Sequence, residues 1–344
     1  MNLLNRKNLI WLLSSVLISF VTIIIIIYFT VSPDEIDRIL HIRIEYIVLM
    51  VLMMFGTWAV DTLRIQNLLG IMGERTSFFY LFVSNIASHF IGAITPFQSG
   101  ALPALVYYLS KKNIKINKGI TVVTGRLLYS LLFFGIFPLF LTLFFYNRIG
   151  LNIYLRVLAV GVSLFLFVLL IGCWYLMINP HFIELLAVKI GYSSMIKRVT
   201  FKRSRDKWIW RIVKGLREYK ENFKVILSYG VKVTAIQMIY TVLFWFIFFN
   251  FATVIMLAMG LHIDWFNVLA RQTIFYSILT YNPIPSGSGV IELGYAAIFS
   301  NIVPTQNLGV FIGIWRFFSF YMYVIVSGII FSFTLRHIGR PQNF

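Results

Sequence analysis

The chain has 344 residues, 59% of them hydrophobic and only 12% charged, with a mean hydropathy of +0.84. A soluble domain carries roughly 25% charged residues, so the composition excludes an ordinary water-soluble enzyme and points to an integral membrane protein. The net charge of +18 does not mark a nucleic-acid binder either, because twelve of the basic residues are gathered between Lys189 and Lys224.

Segment 9–30 follows Arg6 and Lys7 and is too long for the apolar core of a signal peptide. The residues after it, Ser32, Pro33, Asp34 and Glu35, form no small-residue cleavage site, so it reads as a retained first span. The period-two alternation of a membrane barrel is absent, and the spans therefore read as helices. Lys and Arg stay on the cytoplasmic side, which puts Arg6 and Lys7 inside, the acidic stretch Asp34, Glu35 and Asp37 outside, and Arg64 and Arg75 inside again. Segment 77–110 is closed by Lys111, Lys112, Lys115 and Lys118, so it must enter and leave on one face. Its middle, TPFQSGALP from Thr95 to Pro103, interrupts a helix and predicts a re-entrant, broken hairpin.

Segment 119–146 then runs outward and 152–178 inward. The basic stretch 179–224, with Trp208, Trp210 and Tyr219, reads as a lipid-hugging cytoplasmic loop or as a docking site for a lipid or a protein. Segment 225–260 reads as one outward crossing. At 1.5 Å per residue it reaches roughly 50 Å, so it must tilt, break or protrude. Segment 265–302 reads as a second broken hairpin, inserted from the opposite face, with the tip NPIPSGSGVIE from Asn282 to Glu292. The last span, 308–335, returns to Arg336, His337 and Arg340. The expected fold is an all-α, polytopic transmembrane helical bundle, one domain over 1–344 in the cell membrane. Its first half is 1–178, its second half is 225–344, and both termini are cytoplasmic.

Both hairpin tips carry Pro-x-x-Ser-Gly: Pro96, Ser99 and Gly100 in the first, Pro285, Ser288 and Gly289 in the second. Pro283, Ser286 and Gly287 also fit, which leaves the register open. Arg126 follows Pro96 by 30 residues and Arg316 follows Pro285 by 31. With the hairpins on opposite faces, this spacing is what an inverted repeat leaves in a sequence, and such folds form sites where broken helices meet near the midplane.

An arginine at a helix centre costs about 2.5–3.5 kcal/mol on insertion scales, so Arg126 and Arg316 need a reason to be where they are. Each either snorkels to the interface or belongs to a polar cavity. Arg271, near the outer end of its segment, reads as interfacial or as an accessory residue of such a cavity. Glu292 follows Gly-Ser-Gly at a helix start. It either complements the helix dipole, pairs with Arg316 or Arg126, or meets a headgroup or proton. His89 reads as a packing residue or a relay. Cys173, the single cysteine, reads as a small core residue.

The tip Pro283–Glu292 resembles the Pro-Thr-Pro-Gly-Gly-x-Gly-x-x-Glu motif of the lysylphosphatidylglycerol synthase/flippase membrane-domain family, matched by Pro283, Pro285, Gly287, Gly289 and Glu292. The first tip is similar to that family's Thr-Pro-Gly-Gly-Ser-Gly-Gly-Glu-Pro-Leu-Arg element at Thr95, Pro96, Ser99, Gly100 and Pro103. Leu102 and Leu105 stand where many members have Glu and Arg, and Phe97 and Gln98 replace a Gly pair. The resemblance implies a lipid-handling membrane protein. The chain ends at Phe344, shortly after its last span, so the soluble aminoacyltransferase domain of the synthase members is expected to be absent.

Movement of a phospholipid, or another polar-headed lipid, between leaflets is the leading functional expectation. Arg126 and Arg316 would hold an anionic headgroup phosphate, with Glu292 paired to them or to a cationic headgroup. An intramembrane transferase acting on lipid headgroups or lipid-linked sugars is the second. The sequence offers it no paired carboxylates, HExxH, P-loop or clustered metal ligands, so no catalytic residue, metal or cofactor is expected. The third is a solute transporter coupled through Glu292, Asp61 or His89. Membrane phospholipids are the expected partners, nucleic acid is not, and assembly with further copies is left open.

Overall fold

The computed structural model describes residues 43–95, 98–150, 153–179, 202–279 and 289–338, with isolated positions between 17 and 28 and between 181 and 192. The described secondary structure is helical, with no strand among the described residues. Helix α1 spans Ile44–Ile71, α2 Phe78–Ala93, α3 Ala101–Ser110, α4 Ile116–Phe144 and the single turn α5 Tyr146–Ile149. Then come α6 Ile153–Ile178, α7 Lys202–Ser228, α8 Gly230–Ala258, α9 Trp265–Leu279, α10 Val290–Phe299 and α11 Thr305–Arg316. A π-helical stretch, Phe317–Tyr321, joins α11 to α12, Met322–Ile338. Helices α1, α4, α6, α8 and the continuous Thr305–Thr334 run are long and apolar enough to cross a membrane. Of the expected first span 9–30, only Leu17, Val21, Ile24 and Tyr28 are described; they are helical and exposed.

Beyond Arg156 in its first turn and the buried Ser163, helix α6 is apolar. Phe165, Val168 and Ile171 lie bare on its surface, as expected of a helix wetted by hydrocarbon rather than water.

Within each predicted hairpin the two arms are helices that pack on each other, and the motif glycines set where the second arms begin. Gly100 is the N-cap of α3 and Gly289 the N-cap of α10. At the first tip Thr95 Oγ1 accepts a 2.9 Å hydrogen bond from Gly100 N–H while donating to the carbonyls of Ile91 and Gly92. A Cβ at Gly100 would come within 2.8 Å of Ile91 Cγ2 and 2.9 Å of the Ile91 carbonyl, so only glycine lets the second arm close on the first. At the second tip Gly289 has φ +84, and its N–H donates to Glu292 Oε2 at 2.7 Å. Pro96, Phe97 and residues 280–288, which include Pro283, Pro285, Gly287 and Ser288, lie outside the described residues.

One expectation needs correction. The basic stretch 179–224 is not loop throughout, because from residue 202 it is the amphipathic helix α7. That helix packs on α4 and α6 and touches α1 and α8. The apolar run 225–260, expected to tilt, break or protrude, takes the second course. It breaks at Tyr229–Gly230, where Gly230 takes φ +61, and α8 alone provides the crossing.

The packing pattern repeats. Exchange α1 with α8, α2 with α9, α3 with α10, and α4 with the α11–α12 run, and the contacts map onto one another. α1 packs on α8 across the centre. α2 packs on α1, α3 and α12, while α9 packs on α8, α10 and α4. α3 meets α4 as α10 meets α11. The paired elements also match in length: 28 and 29 residues for α1 and α8, 16 and 15 for the first arms, 10 and 10 for the second arms.

Candidate functional site

Of the two carboxylates in α1, Glu45 lies exposed in the first turn and Asp61 is buried, and three helices converge on Asp61. Asp61 Oδ1 accepts from Arg64 Nη1 at 3.2 Å, one helical turn along α1. Its Oδ2 accepts from Arg126 Nη1 of α4 at 2.6 Å and from Asn85 Nδ2 of α2 at 3.0 Å. Asn85 turns its own Oδ1 back to Arg126 at 3.2 Å. Arg64 Nη2 donates to Ser130 Oγ and to the Arg126 carbonyl, both at 2.9 Å. This closes a ring through α1, α2 and α4. Gln237 of α8 donates to the Arg64 carbonyl at 3.1 Å, and the Arg64 guanidinium lies 5.8 Å over the Phe244 ring. His89, one turn along α2 from Asn85, sets Nε2 3.7 Å from Asp61 Oδ2, with its ring against Tyr323 of α12.

Two guanidinium groups therefore share one carboxylate, and the cluster carries excess positive charge in a setting where an unpaired charge is costly. Burial is uneven. The side chains of Asp61 and Arg64 keep 5% and 3% of their surface, Arg126 keeps 12%. Arg126 is thus the more open of the two guanidinium groups.

A second ion pair lies in the other half. Arg316 Nε sits 2.8 Å from Glu292 Oε1, at 4% and 0% side-chain exposure, with the guanidinium 4.2 Å over the Phe320 ring. Because Glu292 Oε2 also accepts the Gly289 N–H, one carboxylate caps α10, offsets its dipole and ties it to α11. The alternatives weighed from sequence, dipole partner and ion pair, are both realised. Trp315, Tyr295 and Tyr276 are packed near this pair, with Tyr295 stacked on Trp315 at 3.8 Å. The π-helical stretch starts at the residue after Arg316; such bulges recur at functional sites.

The sequence grouped Arg126, Glu292 and Arg316; the structure pairs Glu292 with Arg316 and gives Arg126 to Asp61. Arg126 points into the bundle rather than snorkelling. Arg271 is a correction: it is 2% exposed, not interfacial. It donates to the carbonyls of Ile149 and Ile298 and to Asn267 Oδ1, which clamps the second hairpin to α5. Arg64 is a second correction, being a buried part of the cluster and not a flanking charge. Asp61 was visible only as a proton carrier, and Asn85 gave no signal, since an Asn in an apolar helix arm has no motif. A carboxylate three residues from an arginine, Asp61-x-x-Arg64, was the available clue.

The residues at the start of α3 explain the difference between the halves. Glu292 is the third residue of α10; the third residue of α3 is Pro103. With no carboxylate there, the arginine of the first half takes its partner from α1.

A family model for the lysylphosphatidylglycerol synthase TM region matches residues 12–327, a range that takes in both hairpins and both ion pairs. A protein of Archaeoglobus fulgidus described as a UPF0104 membrane protein is 26% identical over 313 residues, which cover 90% of this chain and 93% of that protein.

Proposed function

The chain belongs to the lysylphosphatidylglycerol synthase transmembrane-region family, and from that premise we propose that it carries a phosphate-bearing membrane lipid between leaflets past the Asp61–Arg64–Arg126 cluster. The observation that carries this reading is the charge imbalance: two arginines, one carboxylate, and accessible surface left on Arg126. A guanidinium already neutralised would have little to offer a phosphate. Here one positive charge remains, and the Arg126 group presents donors in a planar fork suited to phosphate oxygens.

In this reading Asp61 holds Arg126 in place and competes with the headgroup. The lipid phosphate binds while Arg64 keeps Asp61 neutralised, and release returns Arg126 to Asp61. His89 and Asn85 supply further polar contacts along the passage. The Glu292–Arg316 pair acts as a lock between α10 and α11, because both oxygens of Glu292 are engaged and its side chain is sealed. The N-cap amides of α3 and α10 are likewise taken, by Thr95 and Glu292, and recognition is assigned to Arg126. The protein sits in the cell membrane with both termini cytoplasmic, as the placement of Lys and Arg indicates.

The test is headgroup dependence in proteoliposomes. Fluorescent phosphatidylglycerol should cross faster than in protein-free vesicles, while a diacylglycerol probe without phosphate shows no protein-dependent gain. Equal acceleration of both probes, or of neither, would sink the proposal.

A further inference from the structure

Beneath α7 lies a partly open cavity of about 430 Å³, within the usual size range of ligand pockets. Leu128 and Leu132 of α4, Phe167 and Leu170 of α6, and Phe223 and Ile226 of α7 form most of its wall. Its lining contains no acidic or basic side chain, so it is unsuited to a headgroup and suited to hydrocarbon. The helix that closes it is of the opposite character. α7 carries nine basic residues against three acidic ones. Among them Lys220 lies three residues before Phe223, on the same side of the helix.

Helix α7 is docked, not merely adsorbed. Tyr219 hydroxyl meets Thr124 Oγ1 of α4 at 2.9 Å, and Asn117 Nδ2 donates to Glu218. Burial first, against that hydrogen bond, pushes the Tyr219 phenol up to about 12. The outer face of α6 beside the cavity is bare hydrocarbon-facing surface, so lipid has direct access. Along α4, Gly125, Leu128, Tyr129 and Leu132 face the cavity, while Arg126 and Ser130 occupy the neighbouring stripe in the ion cluster.

We infer that this cavity seats one acyl chain of an anionic phospholipid, whose headgroup rests on the basic face of α7 at Lys220 and Lys224. The seat stands apart from the transport reading, since it requires binding and no movement. Charge complementarity selects the occupant: a chain fits the apolar wall, and a basic rim favours an anionic headgroup over a zwitterionic one.

The experiment uses the full chain in nanodiscs and a phosphatidylglycerol probe with a photoreactive group in its acyl chain. Adducts are mapped by mass spectrometry. They should concentrate on Leu128, Leu132, Phe167, Leu170, Trp174 and Phe223, which line the cavity, exceeding those on the exposed α6 positions Phe165 and Val168, which do not. Gly125→Phe fills the cavity and should abolish the excess. Thr234→Trp plugs it at a lining position where the residue is already exposed, so the test survives if the first variant misfolds. Lys220→Gln with Lys224→Gln should lower labelling by phosphatidylglycerol about fivefold per lysine and leave a phosphatidylcholine probe unchanged. Adducts spread evenly over lipid-facing residues, or an excess that persists in both plugged variants, would overturn the seat. Equal labelling by both probes in the unmodified chain would overturn its anionic occupant. Loss of transport with labelling intact would count against the transport proposal alone.

Discussion

Among the described residues Asp61 has two arginine partners and Glu292 has one, and this difference decides what each substitution should do. Asp61→Asn leaves Arg64 and Arg126 buried without a carboxylate, a change that costs about 3–5 kcal/mol when a buried pair is broken. Arg316→Ala removes the guanidinium that Glu292 meets at 0% exposure and belongs to the same range. Arg126→Ala leaves Asp61 with Arg64 and removes only the partner that retains surface, so its unfolding midpoint in denaturant should stay near that of the parent chain. Equal destabilisation by Arg126→Ala and Asp61→Asn would show that Arg126 is a structural counter-ion. Arg126 and Arg316 were legible in the sequence because a guanidinium amid Leu and Phe is an anomaly with a known cost. Arg64 was not, because it lies where a helix was expected to be ending, and a basic residue there reads as a flank.

At the scale of elements, the breaks were easier to read than the joins. Proline and glycine clusters announced both hairpins, and the close approach at Gly100 and the positive φ of Gly289 explain why those glycines cap the second arms. Helix α7 was hidden by its composition. Its apolar stripe, Tyr219, Phe223 and Ile226, is sparse among charges and reads as helix only once a partner surface exists to bury it. Gly230 joins that helix to α8 in a left-handed conformation, which costs other residues about 1–2 kcal/mol. Gly230→Ala should therefore loosen the docking of α7, seen as faster tryptic cleavage around Arg217 and Lys220. Unchanged cleavage would mean that contacts with α4 and α6 alone hold the helix.

For the whole molecule, the repeated packing pattern relates the halves by exchange, and the placement of charge predicts that they cross in opposite directions. The length and pairing of elements were readable only in part, because a sequence shows periodicity and flanks but not which helix meets which. The opposed directions can be checked in a Cys173→Ala background carrying either Lys112→Cys or His262→Cys, both at exposed turns. A membrane-impermeant maleimide should reach one from the outside of sealed cells and the other only after permeabilisation. Labelling of both from the same side would contradict an inverted arrangement. The account rests in the end on Arg126, and the most direct measurement is the initial rate of phosphatidylglycerol movement in proteoliposomes made with the parent chain, Arg126→Lys and Arg126→Ala, each shown to be folded. Losing a charge-assisted hydrogen bond worth about 1.5–3 kcal/mol should slow Arg126→Ala by roughly 10- to 100-fold, with Arg126→Lys between the two. Rates that match across all three would contradict the assignment of Arg126 as the group that meets the lipid phosphate.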